Sequence, residues 1–220
     1  MTELRAAEIR LAVTYAPQNA RGAVGALFAL DDALGNLLRS AREPMLAQMR
    51  LTWWHAQLEA LDTAAPPAVP ELRALADHVV GDAVTGANLA RMVEGWEALI
   101  DDPPLDAAAL TVHSDRRGGG LFAAIAACCG YGGDGVEDAG RGWALVDLAV
   151  HLGDAGKAEA ARALAGPLLD SATRRHWGRK GRMLGALAHM ARIDAAAKVP
   201  QEPGSPRRVA RMAWHALSGR

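Results

Sequence analysis

Asp31 and Asp32 stand side by side in the middle of an apolar, helix-patterned stretch, Leu27-Phe28-Ala29-Leu30-Asp31-Asp32-Ala33-Leu34. A carboxylate removed from water is costly unless a cation or hydrogen bonds receive it, so such a pair marks either a solvent edge or a site. Sharing a Mg²⁺ ion from one helix face would require a second acid one turn on. That position is Gly35 counted from Asp31 and Asn36 counted from Asp32. A second constellation is Asp147, His151 and Asp154, which share one face if the helix carrying them is continuous. It reads as a metal or acid–base site, or as the solvent face of an amphipathic helix.

Three cationic groups come next. Arg116 and Arg117 precede Gly118-Gly119-Gly120 and then an apolar run. A helix starting there would offer free N–H groups to an anion; the alternative is a loop that needs backbone freedom. Arg174, Arg175, Arg179, Lys180 and Arg182 surround Trp177 and form the densest positive cluster. It reads as a seat for diphosphate, anionic lipid or an acidic partner, with Trp177 at the interface, or as a solvated helix end. Arg50 precedes Trp53 and Trp54 at helical spacing that permits cation–π contact, with one indole in the core and the other lining a cavity. His113-Ser114-Asp115 has the letters of a nucleophilic triad, but adjacent residues do not meet in that geometry.

The elements holding these residues read as helices throughout. Ala, Leu, Arg and Glu dominate while Phe and Tyr are scarce, which favours helix over strand. The expected class is all-α, a single domain over residues 1–220 forming one bundle of eight to ten helices. Pro17 closes a first helix and a second runs to Ser40; Pro44 opens a third, since a proline N–H is not needed in a first turn. Residues 66–70 form a loop, and helices follow over 70–84, 87–101, 106–113 and 120–129. A long helix over 136–165 ends at Gly166-Pro167, another spans 168–196 with an interruption at Gly178–Gly181, and a final one ends at Ser218.

A net charge of −1 provides no global field for nucleic acid, so none is expected as a partner. Cys128 and Cys129 are neighbours with no third cysteine to pair with, which fits a reducing cytoplasm. Acids at Glu3 and Glu8 and the lack of an apolar run argue against a secretory signal, and no window is long and apolar enough to span a bilayer. The expectation is a cytoplasmic protein, peripheral at most to the inner membrane.

Phe28 to Asp32, then Pro44-Met45-Leu46 and Met49-Arg50-Leu51-Thr52-Trp53-Trp54, resemble the squalene/phytoene synthase family. Arg117 to Phe122, Gly142-x-Ala144-Leu145 and the terminal Ala216 to Arg220 follow in that family's order. The resemblance implies an isoprenoid synthase bundle around a central apolar cavity. Two DxxxD motifs on facing helices would bind Mg²⁺ and the diphosphates of two prenyl substrates, joined head to head through a cyclopropyl intermediate. Both motifs are broken here. Gly35 stands where the first should end, and the second aligns at Asp154 with Ala158, or at Gly153 with Lys157.

The implied protein is a catalytically impaired family member that binds an isoprenoid or other lipid. Alternatively it acts in assembly or interaction, as does a family member that helps build respiratory complex I, with partners in membrane or respiratory assembly. The rival is an active Mg²⁺-dependent transferase of farnesyl or geranylgeranyl groups. For it the resemblance nominates Asp31, Asp32 and Asp154 as catalytic, with Asp31 and Asp154 as metal ligands. Arg50, Trp53, Trp54, Arg117, Asp147 and His151 would then bind the isoprenoid diphosphate.

Overall fold

A computed structural model describes residues 3–41, 43–100, 105–197 and 202–220. Among them the chain is all-helical: α1 (Glu3–Val13), α2 (Arg21–Ser40), α3 (Pro44–Ala60), α4 (Pro70–His78), α5 (Gly86–Glu97), α6 (Ala107–His113), α7 (Gly120–Cys129), α8 (Val136–His151), α9 (Ala155–Thr173), α10 (Arg182–Ala196) and α11 (Pro206–Ser218). The expected punctuation accounts for most boundaries. Pro44, Pro70 and Pro206 each open a helix after an extended residue. Thr85 and Asn88 form a capping box on α5, and the Asp62 carboxylate accepts from the Gly86 and Ala87 N–H groups at the same end.

Three expected boundaries are corrected. The helix expected over 70–84 ends at His78. Gly166-Pro167 does not break the chain; Pro167 lies inside α9. The break falls instead between α8 and α9, where Leu152 turns extended and the Asp154 carboxylate accepts from the Lys157 N–H at 3.0 Å. An aspartate that can cap a new helix competes with continuation of the old one. The four residues 101–104, which include the end expected for one helix, lie outside the described residues.

The Arg116–Gly120 region is also unlike its expectation. Helices α6 and α7 are joined without interruption by a π-helical segment, Ser114–Gly119, so the glycines open no free helix N-terminus. Their use is close approach. Gly118 faces Gly140 of α8 backbone to backbone, where a Cβ on either would collide with the other's carbonyl. On the opposite side a Cβ at Gly95 of α5 would lie 2.7 Å from the Arg117 nitrogen. The wide π turn is therefore clamped between α5 and α8, and the residue it directs into the bundle is Arg117.

Around this point the core is continuous. Phe28 and Phe122 pack on Trp143 with ring centroids 6.1 and 5.6 Å apart. Trp177, expected at an interface, is fully buried: it stacks on Tyr131 and donates from Nε1 to the Ala172 carbonyl. No helix among the described residues is long and apolar enough to cross a membrane.

Candidate functional site

Asp31 lies on the buried face of α2 and Asp147 on the buried face of α8, 116 residues later in the sequence. The Arg117 guanidinium joins them. Its Nε donates to Asp31 Oδ1 at 2.8 Å, and its Nη2 to Asp31 Oδ2 at 2.9 Å and to Asp147 Oδ2 at 2.7 Å. Arg5 of α1 approaches the other Asp147 oxygen at 3.2 Å. Arg117 is 3% exposed, and its guanidinium lies 4.3 Å from the Trp96 ring centroid and 5.0 Å from that of Trp143. A delocalised, weakly hydrated cation between two indole faces is a setting in which arginine outperforms lysine.

The charges follow this geometry. Burial alone would raise the Asp147 carboxyl, but Arg117, Arg5 and His151 hold it well below the usual carboxylate range. Burial likewise opposes the charge on Arg117, and Asp31 and Asp147 outweigh it and push its pKa upward. His113 is completely buried, donates from Nδ1 to the Gly95 carbonyl at 2.7 Å, and turns Nε2 toward Arg117 Nη1 at 3.4 Å. Burial and the adjacent Arg117 charge lower it to about 3, so it is neutral. Asp32 is half-buried beside the cluster, its carboxyl raised by burial and by Asp31.

Gly35, where an acid would complete the first motif, is a packing position. A Cβ there would meet Trp96 Cη2 at 2.9 Å and Arg39 Nη1 at 3.0 Å. The same indole that fills this position also covers Arg117.

The remaining sequence-derived candidates are dispersed. Asp154 is the exposed cap of α9 rather than a continuation of the Asp147 face, because α8 ends at His151. His151 is exposed at that end, with Nδ1 2.8 Å from the Asp147 carbonyl. Arg50, Trp53 and Trp54 do come together, with Asn36 and Arg39, along a groove of about 530 Å³ between α2 and α3. Trp53 is exposed, while Trp54 packs against the core. Arg116 pairs with Glu94 and Arg141 with Asp115 on the rim of a second groove, of about 600 Å³, among α5, α6, α7 and α8.

The family model for squalene/phytoene synthase matches residues 6–165, most of the chain. The chain belongs to the squalene/phytoene synthase family. No curated protein and no solved structure gives a significant match. Of the two aspartates expected opposite Asp31, Asp147 meets it through Arg117 and Asp154 stays at the surface. The residues do not fit a shared Mg²⁺: three carboxylate oxygens are taken by Arg117 and the fourth faces Arg5. Among the described residues no group of three or more His, Cys, Asp or Glu is placed to hold a metal ion.

Sequence reasoning missed Arg5, Trp96, His113 and Trp143. Only His113 carried a local signal: it precedes Arg117 by four residues, one turn along the same helical run.

Proposed function

We propose that this family member is impaired in prenyl transfer and works by binding an isoprenoid or other lipid. The observation that carries the reading is the Arg117 guanidinium bridging Asp31 and Asp147. Ionising an allylic diphosphate demands a metal cation at the leaving group, and that cation needs free carboxylate oxygens. Here a fixed side chain satisfies those oxygens, and admitting Mg²⁺ would mean expelling Arg117 from between Trp96 and Trp143. Binding remains feasible in the α2–α3 groove, where Arg39 and Arg50 can meet an anionic head and Trp53 and Trp54 an apolar chain.

Incubation of the purified protein with farnesyl or geranylgeranyl diphosphate and Mg²⁺ tests the first half. No head-to-head product is expected. A product that disappears in Asp31→Ala would overturn the reading in favour of an active Mg²⁺-dependent transferase. The second half predicts a lipid co-purifying in native mass spectrometry and thermal stabilisation by a prenyl diphosphate that Arg50→Ala or Trp54→Ala diminishes. A lipid-free protein that prenyl diphosphates do not stabilise would count against it.

A second reading, an assembly or interaction role, draws on the first half of α3, where Met45, Leu46, Met49 and Trp53 are exposed. Affinity purification that returned no membrane or respiratory protein would remove that support.

A further inference from the structure

Helix α11 has its polarity inside out. Its buried positions are Arg208, Met212 and His215, while Val209, Ala210, Ala213, Trp214 and Leu217 are exposed. Trp214 is 61% exposed and Leu217 77%. At 100° per residue these five side chains cover one continuous face, with Arg207 and Arg211 along its Trp214 flank. Apolar residues on the wet side of a strongly amphipathic helix are not explained by the helix's own packing.

The charge around this face identifies what covers it. Residues 171–220 hold eleven Lys and Arg against two Asp and Glu, whereas residues 1–170 hold thirteen against twenty-three. The nearly neutral chain is therefore sharply divided, and α11 belongs to its basic end. Arg182 donates to the Ala216 and Leu217 carbonyls at the end of the helix. Beside α11 lies a groove of about 440 Å³ lined by Arg174, Arg192 and Arg211, with Arg192 engaged by Asp170 at 2.5 Å.

We infer that α11 docks on an anionic membrane surface. Trp214 and Leu217 enter the headgroup–acyl boundary, and Arg174, Arg207 and Arg211 meet lipid phosphates. An exposed tryptophan beside arginines matches the amphipathic character of that boundary. Two copies of this chain pairing symmetrically through the same face would bring two basic ends together, which charge opposes. The inference concerns a surface remote in sequence from the Arg117 cluster and holds whether or not the protein turns over a substrate.

The full chain is mixed with phosphatidylcholine vesicles and with mixed phosphatidylcholine/phosphatidylglycerol vesicles and followed by co-sedimentation at rising salt. Binding is expected only to the anionic vesicles and declines with salt. Arg174→Gln with Arg207→Gln lowers partitioning about thirtyfold, and Trp214→Ser with Leu217→Ser abolishes it, with helicity by circular dichroism unchanged in both. Equal binding by the variants would overturn the proposal, as would binding lost in Met49→Ser/Trp53→Ser but kept in the α11 variants. So would absence of vesicle binding together with a dimer that Trp214→Ser dissociates, which would assign the face to a second copy.

Discussion

Arg117 and Arg208 are buried to the same degree, each 3% exposed, and each is gripped by two carboxylates from other helices. Arg208 of α11 holds Glu8 of α1 through Nε and Nη2 at 2.7 and 2.8 Å and is also bonded to Asp194 of α10. The surroundings differ. Glu8 keeps a backbone donor, the Gly204 N–H at 2.8 Å. Asp31 has only Arg117 as its hydrogen-bonding partner among the described residues, and Arg117 is walled in by indoles. One arrangement staples α1 to α10 and α11; the other applies the same chemistry to Asp31, which the family resemblance nominates as a reactive carboxylate. Helix α1 links them, since Arg5 reaches Asp147 and Glu8 reaches Arg208.

The largest expected effect separates the two clusters directly. Arg117→Met leaves Asp31 unpaired in the core and costs about 3–5 kcal/mol, the range for breaking a buried ion pair from one side. Arg208→Met costs less, because the Gly204 N–H still serves Glu8. Urea denaturation of both variants checks the order, and an equal or greater loss at Arg208 would break the comparison. Replacing Asp31, Arg117 and Asp147 together by apolar residues of similar size is expected to recover most of the loss.

Gly35→Asp sharpens the contrast from the other side. It restores the letters of the first motif but drives a side chain into Trp96. A loss of about 1–3 kcal/mol is expected from overpacking, with no gain of Mg²⁺-dependent product. Normal stability accompanied by metal binding would show that the site adapts more readily than its packing implies.

Acidification reads both regions at once. Burial holds His113 at about 3, and burial with neighbouring cationic groups holds His189 at about 3 and His215 at about 4. The unfolded chain takes up these protons near pH 6.5, so stability is flat above that value and falls as the pH drops from there toward 4. Each such histidine contributes a slope of about 1.4 kcal/mol per pH unit between its folded and unfolded values, over a narrower pH window at His189, which is only partly buried. The carboxylates act lower. Asp147 is held well below its usual range, and Glu8 is lowered by Arg208 against the opposing effect of burial, so their contribution is lost only below about pH 4. Hydrogen exchange at pH 5 is expected to show α10 and α11 opening before the π segment; the reverse order would contradict this.

The helical class was legible because composition and periodicity are local, and so were the proline-initiated helices. Asp31 was legible as a residue needing a partner, for a carboxylate in an apolar run carries its own warning. The partner was not. Arg117 was read as an anion seat at a free helix start or as part of a flexible loop, since arginines before glycines fit either, whereas those glycines serve a backbone crossing with α8 that depends on a distant segment. The Glu8–Arg208 pair spans 200 residues and had no local signal at all. The helix period also could not decide where α8 ended, so Asp154, expected on the Asp147 face, caps α9 instead.

That misplacement supplies the smallest expected effect. In Asp154→Ala the N-cap of α9 is lost, and an exposed cap stabilises its helix only modestly. A small drop in melting temperature is expected, with acid-induced unfolding and tryptophan fluorescence near Trp96 and Trp143 unchanged. Asp147→Asn, by contrast, disturbs Arg117 and Arg5 together and shifts both signals. If Asp154→Ala instead behaved like Asp147→Asn, the two aspartates would share one site after all. The division of labour between a buried ion cluster and a surface cap would then be wrong.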